Sequence, residues 1–166
     1  MNRNPADLIM TLEQAVAWRE SLREKGLKLA MTNGCFDILH RGHADYLYRA
    51  REQGDALLVL INSDASVRAL KGPSRPVVDE YSRAYLLCAL ECVDAVVVFN
   101  EPRCTAYFSA LKPDIYVKGG DYTLETLNQE ERIALQEAGA DFRFIPFVEG
   151  FSTSNIVNRI QSHPTG

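Results

Sequence analysis

Two histidines, His40 and His43, stand three residues apart in the stretch MTNGCFDILHRGHADYL, with Arg41 and Gly42 between them. Imidazoles at this spacing suit four kinds of chemistry: metal ligation, acid–base catalysis, a phosphate clamp, or plain hydrogen bonding at a helix start. Residues at i and i+3 share one side of a helical turn, so the two rings can act on one point. Zinc would need more than this pair and Cys35, because the i, i+4 spacing and the glutamate of an HExxH helix are missing. A serine or cysteine hydrolase would need a nucleophile elbow, and Cys35 has no evident acidic partner. A phosphate clamp asks for less. A helix start offers unpaired N–H groups and the positive end of the helix dipole, and imidazole N–H groups add donors. Gly34 and Gly42 allow close approach of the backbone to an anion. Lys71, Arg75, Arg83 and Lys118 supply cations, and GFSTSN offers a second helix start with the hydroxyls of Ser152 and Thr153. Together these groups match a triphosphate whose α-phosphorus is attacked.

Such residues need a scaffold that gathers them. TLEQAVAWRESLREKG reads as an amphipathic helix in which Thr11 and Gln14 fit a capping box and Gly26 supplies the stop. The ten residues before it read as a loose arm. LKLAMT, DALLVLIN, VDAVVVF, DIYVK and DFRFIPF read as strands, the second being a near-continuous apolar run of the kind covered on both faces. Helical patterns fall between them, one starting near Gly42 or His43 and another opened by a capping-box-like Asn128 and Glu131. KGPSRPVVDE, with a glycine and two prolines, reads as a loop. Five strands alternating with helices predict one α/β domain, a doubly wound parallel sheet with right-handed crossovers. Residues 1–26 are expected to form an arm and a helix packing on a domain that spans 27–162. Ligands of such sheets sit beyond the carboxyl ends of the strands, which selects 32–43, 62–64, 99–100, 118–121 and 149–154 as the rim.

The bulk composition fits this reading. With 166 residues, 46% hydrophobic and 24% charged, the chain is long enough to bury one core. A formal net charge of -4 argues against a general nucleic-acid binder, and no apolar run is long enough to span a bilayer. Cys35, Cys88, Cys92 and Cys104 form no CxxC pair and read as reduced thiols of a cytoplasmic protein.

The stretch NGCFDILHRGH resembles the HxGH motif of the cytidylyltransferase-like nucleotidyltransferase superfamily, and GFSTSNIV resembles its Ser-Thr phosphate-binding motif. With INSDASVRALKGPSRPV, CALECVDAVVVF and PDIYVKGGDY added, the chain from about Thr11 to Ile160 is similar to the D-glycero-β-D-manno-heptose 1-phosphate adenylyltransferases of that superfamily. The resemblance implies a Rossmann-like sheet of nucleotidyltransferase type. It implies adenylyl transfer from ATP, with Mg2+, to the sugar 1-phosphate, giving ADP-heptose and pyrophosphate for lipopolysaccharide or another heptose-containing glycan. Glycerol 3-phosphate cytidylyltransferases and FAD synthetase-like enzymes share both motifs, as would a non-catalytic nucleotide-binding module. NSDAS and VKGGDY favour heptose over the first two. Retention of both histidines, Lys118, Ser152 and Thr153 favours catalysis over the third.

Carried over residue by residue, the resemblance gives His40 and His43 to the triphosphate, Lys118 to a further phosphate contact, and Ser152 and Thr153 to the β- and γ-phosphates. Thr32, Asn33, Gly34, Cys35, Phe36 and Gly42 would pass near the nucleotide, largely through backbone groups. Asn62 and Asp64 would contact nucleotide or sugar hydroxyls, Asp121 would bind the ribose, and Gly119 would lie at the nucleotide. Lys71, Arg75 and Arg83 would bind the sugar phosphate or the triphosphate, and Asp37 would brace the HxGH loop. No side chains are assigned as metal ligands, so Mg2+ is expected with ATP. Arg41 and Ser154 depart from the commonest pattern, Arg41 at the rim and Ser154 where a second threonine is frequent. A homodimer is compatible with the resemblance, as is a stand-alone enzyme served by a separate heptose kinase and phosphatase.

Overall fold

In the computed structural model, which describes residues 3–162, the chain begins with a 3-10 turn (Pro5–Leu8) and a two-residue strand β1 (Ile9–Met10). It continues through α1 (Leu12–Glu24), β2 (Leu29–Gly34), α2 (Arg41–Arg51), β3 (Ala56–Asn62), α3 (Asp64–Lys71), α4 (Glu80–Cys88) and β4 (Ala95–Phe99). Then follow α5 (Thr105–Leu111), β5 (Ile115–Gly119), α6 (Gln129–Glu137), β6 (Asp141–Ile145) and α7 (Thr153–Ser162). The sheet is parallel, in the order β1-β4-β3-β2-β5-β6.

The strand count is therefore six rather than the expected five. The addition lies in the arm expected to be loose: Ile9 and Met10 pair with Val96 and Val97 of β4, and Arg3 donates to the carbonyls of Glu91 and Val93. Two residues are too few for an alternation pattern, so their pairing is decided by the open edge of β4 rather than by their own sequence.

All seven residues of β3 are buried, as a central strand covered on both faces requires. On one face Met31, Leu58, Leu60, Val97 and Tyr116 meet α1, α5 and α6; on the other Ala30, Leu57, Val59, Ile61 and Val117 meet α2 and α4. Each fully buried Leu, Val or Ile contributes about 1.5–3 kcal/mol relative to exposure, so this two-sided burial dominates the stability of the sheet. Aspartates at its amino edge pin strand register. Asp114 accepts from Leu29 N–H at 2.7 Å and Asp94 from Leu57 N–H at 2.8 Å.

The chain proceeds outward from β2 to β3 to β4, then returns to place β5 on the other side of β2. The winding direction reverses between β2 and β5, and such a reversal opens a crevice at the carboxyl ends of the two strands. Asn33 and Gly34 end one strand there; Lys118 and Gly119 end the other.

Candidate active site

After Gly34 the chain turns sharply through Cys35, Phe36 and Asp37. Phe36 has φ +48°, a left-handed conformation that costs a side-chain-bearing residue on the order of 1–3 kcal/mol. Its ring is nevertheless well seated. A Cβ on Gly34 would lie 2.9 Å from the ring, so only glycine leaves it room, and the ring meets His43 edge-on at 5.1 Å. His40 caps α2, its Nδ1 accepting from His43 N–H at 3.3 Å, and the two imidazoles stack at 3.8 Å. A Cβ on Gly42 would meet Phe151 at 2.9 Å and His40 at 3.0 Å, so the first turn of α2 lies directly against the segment that leads into α7.

Burial sets the charge of this pair. It holds His43 down at about 4, assisted by the neighbouring His40 and Lys71, and it also lowers His40. Both rings are neutral near pH 7, which makes them hydrogen-bonding groups rather than cations. The Nδ1 of His43 is buried with no hydrogen-bond partner among the described residues. A histidine that titrates near 6.5 when unfolded and near 4 when folded leaves the unfolded chain holding more protons between those values. Stability is therefore complete above pH 6.5 and declines as pH falls towards 4, by up to about 3 kcal/mol. Denaturant titrations at pH 7.5 and 4.5 will show this loss, and His43→Gln will reduce it. An equal loss in that variant would assign it to other groups.

Lys118 is fixed from two sides. Its Nζ donates to Asn33 Oδ1 at 2.9 Å, the Tyr116 hydroxyl donates to the same oxygen at 2.7 Å, and the ammonium lies 5.2 Å from the Tyr122 ring centre. Burial lowers its pKa, and the carboxylate of Glu131 opposes that shift. Asn33 thus acts on the lysine through its side chain, a role not visible in the sequence.

The loop after α3 is tied down by Asp37. Its carboxylate, 1% exposed, accepts from Val77 N–H at 2.8 Å, Val78 N–H at 3.0 Å and Arg75 Nε. Burial alone would raise its pKa, but the bonds from Val78, Arg75 and Val77 outweigh it and hold the carboxyl below the usual range. Asp37→Asn keeps the shape but removes the charge and one acceptor site. We expect a loss of about 2–3 kcal/mol in chemical denaturation together with new proteolytic cleavage between residues 72 and 79. Unchanged protease resistance would show that the loop is held by other contacts.

A cleft of about 660 Å3 opens at the β2–β5 reversal. Of the residues singled out in the sequence, Asn33, Gly34, Cys35, Phe36, Asp37, Asn62, His43, Lys71, Lys118, Gly119 and Thr153 line it. The others lie around it. Thr32 is fully buried and bonds the Tyr46 hydroxyl at 2.7 Å, and His40 and Gly42 support His43 from behind. Arg75 is engaged by Asp37. Arg83 is buried, with its guanidinium donating to Cys35 O, Val78 O and Asp64 Oδ1. Asp64 is accordingly paired rather than free. Ser152 Oγ accepts from Asn155 N–H at 3.1 Å as a helix cap, and Asp121 is exposed outside the lining.

The cleft also has a wall the sequence reading did not single out as functional. Asn128 does cap α6, accepting from the N–H groups of Glu130 and Glu131. Glu131, however, reaches away to accept from Cys104 N–H at 3.0 Å, so the expected capping box is not closed and its carboxylate faces the cleft. Nothing in the spacing distinguishes such a residue from an ordinary first-turn glutamate. Among the described residues no three His, Cys, Asp or Glu side chains gather as a metal site, Cys35 donates to Asn62, and no helix is long and apolar enough to cross a membrane. All four cysteines are free thiols, and burial pushes Cys88 and Cys104 up to about 12.

Known proteins are similar to this chain in sequence and fold. The bifunctional protein HldE of Helicobacter pylori (strain Shi470) is 50% identical over 153 residues, covering 92% of this chain and 31% of that protein. HldE of Syntrophotalea carbinolica is 46% identical over 155 residues, covering 89% and 31% respectively. The chain thus spans about a third of the length of these relatives. The solved structure of the lipopolysaccharide core biosynthesis protein from Thermoplasma volcanium GSS1 superposes with TM-score 0.61 at 29% identity, over 74% of this chain and 98% of that one. A pantoate-beta-alanine ligase from Francisella tularensis shares the fold alone, with TM-score 0.56 at 14% identity over 93% and 77%. The cytidylyltransferase-like family model matches residues 31–162, from the strand before the histidines to the end of the last helix; the chain belongs to this family of nucleotidyltransferases.

Proposed function

We propose that the chain transfers the adenylyl group of ATP to D-glycero-β-D-manno-heptose 1-phosphate, forming ADP-heptose and pyrophosphate. The observation that carries this reading is the meeting of His43, Lys118, Lys71 and Thr153 in one cleft at the sheet reversal. Its heptose component is supported by the similarity to HldE, and a place in lipopolysaccharide synthesis by the likeness to the Thermoplasma protein.

A phosphate oxygen of the sugar phosphate attacks the α-phosphorus in line, and the bond to the bridging oxygen of pyrophosphate breaks. A phosphate monoester has its second pKa near ~6, so the attacking group is already dianionic near pH 7 and needs no base. Neutral His43, supported by His40, is suited to donate a hydrogen bond to phosphate oxygens rather than a proton. Lys118, held by Asn33, places positive charge beside the α-phosphate, where charge accumulates. Lys71 and the start of α7 at Thr153 take the leaving phosphates, joined by the positive end of that helix. Mg2+ would enter with the nucleotide and would help neutralise the departing pyrophosphate, with no side chain assigned to hold it.

Pyrophosphate release is measured with ATP or CTP, each paired with β-heptose 1-phosphate or glycerol 3-phosphate. Turnover confined to ATP and the heptose is the expected result. Turnover with CTP and glycerol phosphate overturns the substrate assignment but keeps the transfer chemistry, and nucleotide binding without release under all four pairings would reduce the chain to a binding module.

A further inference from the structure

The cleft has two unlike walls. One carries His43, Lys71 and Thr153, and the opposite one carries Arg103, Asn128 and Glu131 at the α5–α6 side, with Lys118 shared between them. The second wall retains unused hydrogen-bonding capacity. Asn128 spends its carbonyl oxygen on the helix cap, which leaves both amide N–H donors uncommitted among the described residues. Glu131 spends Oε1 on Cys104 N–H, leaving its second oxygen without a partner there. Arg103 is exposed and makes no hydrogen bond or ion pair among the described residues.

Charge decides which part of the substrates this wall can face. A carboxylate in a shared cleft repels phosphate, so the phosphates belong on the side of the histidines and Lys71. A planar base finds its flat partner at the β5–β6 side, where the Phe147 ring, 59% exposed, lies over Gly119 and Gly120 with Tyr122 nearby. The remaining wall offers a carboxylate acceptor beside amide and guanidinium donors. A ring with vicinal hydroxyls is complementary to that set, since each hydroxyl donates one bond and accepts others.

We propose that Glu131, Asn128 and Arg103 form the subsite that reads the hydroxyls of the sugar acceptor and so determine which sugar 1-phosphate is used. The proposal rests on the transfer reading above and adds to it the location of acceptor selection. It also reassigns selection away from Arg75 and Arg83, whose guanidinium groups are engaged within the protein. A subsite that bonds a particular hydroxyl rejects analogues lacking it, because its own polar groups are left unpaired.

Two substitutions test this without dismantling the fold. Asn128→Asp keeps the capping oxygen and replaces the amide donors by an acceptor, and Glu131→Gln keeps the oxygen that Cys104 uses and replaces the other by a donor. Steady-state kinetics are measured for the unaltered chain and each variant with heptose 1-phosphate and a deoxy analogue, alongside ATP binding without acceptor. The expected result is an acceptor KM raised about tenfold or more, ATP affinity within about twofold of the unaltered chain, and weaker discrimination against the deoxy sugar. Raised ATP KM with unchanged acceptor KM would overturn the proposal by assigning the wall to the nucleoside. A fall in kcat with both KM values unchanged would overturn it by showing that Glu131 acts only through Lys118. An active parent whose variants behave identically sinks the subsite alone, whereas a parent that releases no pyrophosphate with any sugar 1-phosphate sinks the transfer reading as well.

Discussion

Replacing His43 by alanine lowers kcat for nucleotidyl transfer by about 10²–10³-fold, the cost of removing one preorganised donor from a developing oxyanion, or about 2.7–4 kcal/mol of barrier. The ring is well placed for such an effect, being fixed between Phe36 and His40 and uncharged near pH 7, so no reorganisation accompanies reaction. His40 needs a different substitution because it also caps α2. His40→Asn retains a capping side chain while removing the imidazole, so its effect on rate is separable from the roughly 1 kcal/mol a lost cap costs. We expect His40→Asn to lower kcat less than His43→Ala, since His40 reaches the cleft through its neighbour. Single-turnover rates with saturating ATP provide the measurement. If His43→Ala retains full kcat and merely weakens ATP binding, the ring contributes ground-state binding only and the clamp reading fails.

The second large effect is on stability. Arg83→Met leaves Cys35 O, Val78 O and Asp64 without their shared partner inside a site where the arginine side chain is 0% exposed. Breaking a buried, fully bonded charge pair costs about 3–5 kcal/mol, and for a chain of this size each kcal/mol moves Tm by about 2–4 °C. A drop in Tm of about 10 °C or more is expected, and Arg83→Lys should recover little, because an ammonium cannot present the guanidinium's fork of donors. If Arg83→Lys leaves Tm unchanged and raises only the acceptor KM, the residue faces substrate and its internal bonds are incidental.

Arg83 also shows what a sequence can and cannot convey. The alternation of apolar runs and helical patterns follows directly from burial on two faces of a sheet, so β2 to β6 and the rim at their carboxyl ends were legible. The placement of His40 and His43 on one side of a helix start was legible for a related reason, since local spacing fixes which residues share a helical turn, whereas their assignment to phosphates came from the family resemblance. Whether a cation reaches solvent or a carbonyl depends on partners far away in sequence. Arg83 meets Cys35 across 48 positions and Arg75 meets Asp37 across 38, so no local pattern records those bonds. Lys118 and Asn33, 85 positions apart, were both read as cleft residues, but not as a pair. Glu131 was hidden by its conformity to a helix-start pattern, and only the backbone N–H of Cys104 explains why it turns away from its own helix.

The two edges of the sheet face self-association by different means. At β6, Asp141 and Arg143 are exposed, so that margin carries charges that discourage a second chain from pairing. At β4 the sequence AVVVF has no charge at all and is rich in β-branched residues. Among the described residues its margin is paired by Ile9 and Met10, with the arginine at position 3 bound to nearby carbonyls. A chain beginning at residue 11 would keep every cleft residue yet expose an apolar strand edge, and light scattering during concentration should show it aggregating where the longer chain stays dispersed. The arm that reads as loose in the sequence thus shields an apolar strand edge.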